Sequence, residues 1–269
     1  MYLRGDGVGL RPRDVADRPD DPADGRGTSH PLDNPVYASL TGAHAHLART
    51  QGRVLRYAPD VAPFFAPPAE PDSRYWAELA AVVGPGGTVM FGGVEVVPPA
   101  GWQVQVRIGG VQMVGTSVVP AADPQARPLG PDDVPEMLDL VARTRPGPFL
   151  PRTIELGTYL GIHRDGRLVA MAGQRMHPPG WTEISAVCTD QDHRGQGLAG
   201  RLIRAVAAGI RERGETPFLH AAASNTGAIR LYQALGFTLR REVLFVLLQA
   251  PTTDAAPAFP SDRRPSRSG

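Results

Sequence analysis

Leu198, Leu202, Val206 and Ile210 recur at four-residue spacing and lay one apolar stripe along a helical face, and Gly214 beyond them supplies a C-terminal stop. The run before this helix, 181–188, reads as a strand entered from the turn Pro178-Pro179-Gly180. The run after it, 217–222, reads as a shorter strand. Asn225 then caps a second helix carrying Ala228, Ile229, Leu231, Tyr232 and Leu235, closed by Gly236-Phe237. Further upstream, strand runs at 158–163 and 167–171 flank Asp165-Gly166, a strong hairpin signal. A helix is predicted from Pro131 through Ala142. The earlier part of the chain predicts helices over 34–47 and 72–83, then strands over 88–91, 94–97 and 102–106, the first two separated by Gly92-Gly93.

Length and composition set the domain count. With 269 residues and 42% hydrophobic content the chain can bury a core in one large or two small domains. Residues 1–30 and 250–269 are rich in Pro, Arg, Asp and Ser or Gly and poor in large apolar residues, so both ends are expected to be disordered. Between them lie an N-terminal α/β unit over 31–120, a linker at 121–125 and a second domain over 126–248.

Charge and cysteine content narrow the function. A net charge of +1 gives no general attraction to nucleic acid or to an anionic membrane. No apolar run approaches the roughly 20 residues that cross a bilayer, and residues 1–24 lack a signal-peptide core, so a cytoplasmic location is expected. Cys188 stands alone, which excludes an internal disulfide and a cysteine zinc cluster. His44 and His46 would diverge on a helix, and no metal is implied. All 28 basic residues are Arg, which disfavours Schiff-base chemistry and lysine-bearing phosphate loops.

The candidate chemistry sits where the 181–188 strand turns into the striped helix. In Arg194-Gly195-Gln196-Gly197-Leu198-Ala199-Gly200 the glycines let the backbone bend and approach an anion, and the helix start adds unpaired N–H groups and a positive dipole end. Most short Gly-x-Gly turns are only tight connections. Here the loop is followed by a strand, the Asn225-capped helix with Tyr232, and Gly236-Phe237. That order, with the pattern Arg/Gln-x-x-Gly-x-Gly/Ala, resembles the GNAT superfamily of acetyl-CoA-dependent N-acetyltransferases over roughly 126–248. The block from Phe218 to Phe237 is most similar to its glycine N-acyltransferase-type branch.

The resemblance implies an α/β (α+β) fold, a mixed and mostly antiparallel sheet flanked by helices, with 31–120 as an additional unit, read as a degenerate half-copy rather than an unrelated cap. It implies acetyl-CoA as cosubstrate, with its pyrophosphate on residues 194–200, its pantetheine arm along Val187, Cys188 and Thr189, and Asn225 at the cofactor site. Tyr232 matches the family's general acid, against the plain reading of a core tyrosine. Glu183 resembles in its spacing from Arg194 the family's general-base glutamate, while a solvent-facing or arginine-paired carboxylate is the plain alternative. His220 is the rival base, or a strand histidine with its bonds satisfied. Nothing near Cys188 activates it as a nucleophile.

The expected activity is N-acetyl transfer to a primary amine by direct attack in a ternary complex. The acceptor is a small-molecule amine or peptide; nucleic acid and membrane are not expected, and a homodimer is left open. The alternatives are a non-catalytic acyl-CoA-binding sensor and a purely structural α/β protein.

Overall fold

A computed structural model describes residues 30–252. The disorder expected at 1–30 and 250–269 falls almost wholly outside them. His30 is fixed, its Nδ1 accepting from Leu32 N–H to cap a short 3₁₀ turn. Ala250 is buried and donates its N–H to the Gly87 carbonyl at 2.8 Å.

Among the described residues eleven strands form one sheet. They are β1 (Ala48–Gln51), β2 (Val54–Tyr57), β3 (Phe64–Ala66), β4 (Thr88–Gly92), β5 (Gln103–Val114), β6 (Arg127–Leu129), β7 (Tyr159–Arg164), β8 (Arg167–Gln174), β9 (Trp181–Thr189), β10 (Thr216–Ala222) and β11 (Thr238–Gln249). The helices are α1 (Pro35–Leu40), α2 (Ser73–Val83), α3 (Val134–Thr144), α4 (Leu198–Glu212) and α5 (Thr226–Ala234). The spatial order is β1-β2-β3-β4-β11-β5-β10-β9-β8-β7-β6. Every neighbouring pair is antiparallel except β3 with β4 and β9 with β10. This is the mixed, mostly antiparallel sheet flanked by helices that the family resemblance implies. Strand β5, from the 31–120 stretch, is hydrogen-bonded on both sides to strands of the later stretch.

Helix α4 follows its stripe. Leu198, Leu202, Val206 and Ile210 are buried together with Ile203 and Ala207 in a core that includes Val169 and Ala170 of β8 and Leu219 of β10. Burying each large aliphatic side chain is worth about 1.5–3 kcal/mol, so the stripe holds the βαβ unit of β9, α4 and β10 to the sheet.

Three early elements differ from the periodicity. The helix expected over 34–47 stops at Leu40, because Thr41 and Gly42 are poor helix formers and His44 is drawn into the core. There its Nδ1 meets Tyr57 Oη at 2.8 Å and its Nε2 the Leu156 carbonyl at 3.1 Å. The 94–97 segment is not a strand: Gly93 turns the chain at φ 78°, and Pro98 and Pro99 lack ladder donors. Strand β5 runs to Val114 rather than ending at 106, and the sequence reading contains no counterpart of β11, whose apolar run lacks alternation.

Candidate active site

The site starts from a fork between two strands. β9 and β10 are hydrogen-bonded only at their beginnings, through Trp181 with Thr216, Thr182 with Pro217 and Glu183 with Phe218. Beyond that point β9 continues on β8 while β10 follows β5, so the two part. On β9 the register slips between Ser185 and Cys188, where Ala186 and Val187 face a single residue of β8 and Ala186 takes φ 52°. A bulge of this kind leaves main-chain groups outside the ladder. They open into a cavity of about 500 Å³ in the fork, lined by Ala186, Val187, Cys188 and Thr189 on one side and by Ala221 and Ala222 on the other.

Arg194, Asn225 and Tyr232 line the same cavity. Gly195 and Gly197 take φ 77° and 72°, conformations that side chains rarely adopt, and a Cβ on either would meet no atom within 4 Å. The first bond into α4 from outside its range runs from Arg201 N–H to the Gly197 carbonyl, so the amides of Leu198, Ala199 and Gly200 have no partner within the helix. Gly195, Gln196 and Gly197 are exposed; they, Ala199 and Gly200 are not on the cavity wall, and Leu198 is buried in the core. An ion pair between Arg143 of α3 and Asp190 fixes the entry of this loop.

Asn225 caps α5 by accepting from Ala228 N–H at 3.2 Å. Tyr232 is 8% exposed, and burial pushes its hydroxyl up to about 12, so it is protonated at neutral pH. Cys188 is buried and burial raises its thiol to about 11, which keeps it a thiol and removes it as a nucleophile. It lies on the cavity wall.

Glu183 does not stand where a proton acceptor for a bound amine would. Its side chain is 0% exposed, at the vertex of the fork and off the cavity wall. Arg175 grips both carboxylate oxygens, at 2.6 and 2.8 Å, and His220 Nδ1 lies 2.7 Å from Oε1. Burial alone would raise the carboxyl; the Arg175 charge and hydrogen bonds, with His220, outweigh it and hold the group at about 2. A carboxylate so satisfied is a poor base, and the expectation of general-base catalysis by Glu183 is corrected to the paired reading.

His220 is sealed as well. Its side chain is 2% exposed, so what it shows the cavity is mainly backbone. Arg240 donates to Gln112 Oε1 at 2.8 Å, which turns the Gln112 amide nitrogen toward the Leu32 carbonyl at 2.9 Å and His220 Nε2 at 3.1 Å. With the Gln112 amide donating to Nε2, the ring N–H at Nδ1 faces Glu183. Arg240 reaches Gln112 because it is the extra residue of a bulge in β11, between Leu239 and Arg241. It also pairs with Asp33 at 2.7 Å.

The sequence reading misses Arg175, Gln112 and the far wall of the cavity, formed by Phe64, Met90, Ile108 and Phe245. Arg175 lies 5.1 Å over the Phe64 ring. An arginine just after an apolar strand and a glutamine within one are the only local signals. The loop over 144–148 also lines the cavity, with Arg145 in the left-handed region at φ 51°.

The chain is similar to several known proteins. The family model described as FR47-like protein matches residues 159–246. A solved protein from Novosphingobium aromaticivorans, described as an acetyltransferase of the GNAT family, is 42% identical, with 84% of this chain and 100% of that one covered and a TM-score of 0.76. A Drosophila protein of known structure shares the fold, at 17% identity, TM-score 0.54 and 74% of each chain. The mycothiol acetyltransferase of Thermomonospora curvata is 37% identical over 90 residues, 33% of this chain and 29% of that protein's length. Among the described residues no helix is long and apolar enough to cross a membrane. The identity and coverage of the Novosphingobium aromaticivorans protein show the family: the chain belongs to the GNAT family of acetyltransferases, as an acyltransferase enzyme.

Proposed function

We propose that the protein transfers the acetyl group of acetyl-CoA to a primary amine by direct attack in a ternary complex. The observation that carries this reading is the parting of β9 and β10 beyond Glu183 and Phe218, over a cavity that Tyr232 also lines. The residues suit the cosubstrate. The amides opening α4 would hold its pyrophosphate, and the main chain freed by the Ala186-Val187 bulge would hold its pantetheine arm, beside Thr189 and Asn225. Bound there, acetyl-CoA would supply a thioester whose carbonyl carbon the fork's amides polarise.

A neutral amine nitrogen forms the new C–N bond as the C–S bond breaks. The departing sulfur takes the Tyr232 hydroxyl proton, the nitrogen gives up one proton to water, and water restores Tyr232. Glu183 and His220 act by holding the fork, not by carrying that proton. In this reading residues 126–248 bind the cosubstrate, and residues 31–120 add an acceptor wall.

Calorimetry with acetyl-CoA, paired with thiol release and product mass over an amine panel, tests this. Binding together with an N-acetylated product is expected. Binding with no acetylated amine, or with hydrolysis alone, overturns it.

A further inference from the structure

The chemistry of the far wall speaks to the acceptor. Phe64, Met90, Ile108 and Phe245 come from β3, β4, β5 and β11 and line the same cavity as Tyr232. Register places them on one sheet face: Phe64 is opposite Met90, Met90 opposite Leu247, and Phe245, two residues from Leu247, opposite Ile108. The face continues outward along β5 to Val106, opposite Leu247, and Ile108 and Val106 are 46% and 42% exposed. An apolar floor of this kind, running directly out of the reaction cavity, favours an apolar ligand body.

The charges point the same way. Among the described residues no Asp or Glu lines the cavity; its cationic side chains are Arg145, Arg175 and Arg194. Glu183, the carboxylate nearest the fork, is fully committed to Arg175 and His220. An acceptor carrying a second ammonium would find no free counter-ion there: Glu183 is held by Arg175, Arg194 lies at the loop read as the pyrophosphate site, and Arg145 adds a further positive charge.

We propose, resting on the acetyl-transfer reading above, that the acceptor is a monoamine with an apolar aliphatic or aromatic body, laid on the Phe64–Met90–Ile108–Phe245 floor with its amine toward the fork. On this proposal polyamines, amino sugars and basic peptides are the poorer acceptors.

The test uses the full chain, acetyl-CoA, and four amines: hexylamine, 2-phenylethylamine, ethanolamine and 1,4-diaminobutane. Hexylamine and 2-phenylethylamine should exceed ethanolamine and 1,4-diaminobutane in kcat/KM by at least about tenfold, the lower end of what one methylene earns in an apolar pocket. Ile108→Asp adds a carboxylate at a half-exposed position, which spares the fold. It should lower kcat/KM for hexylamine, raise it for 1,4-diaminobutane, and leave acetyl-CoA affinity unchanged. Equal or better use of ethanolamine or the diamine, or an unmoved preference in Ile108→Asp, overturns the proposal. Binding of all four amines to the protein saturated with coenzyme A is measured by calorimetry in parallel. If no amine is acetylated yet hexylamine and 2-phenylethylamine bind more tightly, transfer fails and the ligand class stands; if the polar amines bind as well, the class fails too.

Discussion

The two walls of the cavity are built differently. The β9, α4 and α5 side is made of main chain: a bulge at Ala186 and Val187, two positive-φ glycines and the open end of a helix, with Arg194, Asn225 and Tyr232 added. The opposite side is made of side chains from four strands that are far apart in sequence, backed by the buried array of Arg175, Glu183, His220, Gln112 and Arg240. Backbone recognition suits a cosubstrate common to a family, since it asks only for a local turn and a helix start. Side-chain recognition suits the acceptor, because apolar shape and missing charge can change without disturbing the fork.

If this contrast holds, the largest effect of a single change should come from the buried array. Glu183→Gln leaves the Arg175 guanidinium, 11% exposed, without its counter-charge, and should cost about 3–5 kcal/mol of stability in denaturant unfolding. Replacing both partners, Arg175→Met with Glu183→Leu, should recover most of that loss. The pH dependence has a definite sign. The folded carboxyl lies at about 2, below its ordinary 4.5, so its contribution is complete above pH 4.5 and is lost as pH falls toward 2. A wild-type stability that does not fall in that window would break the assignment of Glu183 as a held anion.

Next in size is the chemistry at the fork. Tyr232→Phe should lower turnover roughly 10²-fold, the low end for general acid catalysis, with acetyl-CoA affinity little changed because the ring still packs against Phe237. Wild-type turnover, with chemistry shown to limit the rate, would remove Tyr232 as proton donor. Gly197→Val forces a β-branched residue into φ 72°, costing about 1–2 kcal/mol, and should weaken acetyl-CoA by about tenfold through the disturbed helix start. Unchanged calorimetric affinity in a folded mutant would detach the loop from the cosubstrate. The smallest effect is expected at Cys188→Ala, where turnover should persist and stability fall by about 1 kcal/mol. Abolished turnover with the fold intact would return the thiol to the chemistry.

The contrast also explains what was legible beforehand. Helix α4 was readable because its stripe repeats every fourth residue, and the glycine loop because its φ requirements fall on neighbouring positions. Tyr232 and Asn225 were readable from spacing along one short helix, and both line the cavity. Glu183 was singled out as a general base, with an arginine-paired carboxylate as the plain alternative, and the structure shows the pairing. Its partners are Arg175, eight residues away across a turn, and His220, on the next strand.

By itself, then, the sequence determined the local parts: the βαβ unit, the turn that exposes the amides of α4, and the helix presenting Tyr232. These depend on periodicities of a few residues and on glycine's freedom at two positions. Only the tertiary structure decided that β5 lies between β10 and β11, that Phe64, Met90, Ile108 and Phe245 share one wall, and that Glu183 and His220 are sealed from it. Strand order and buried charge pairing depend on contacts between residues up to more than a hundred positions apart, and no local pattern encodes which of them will meet.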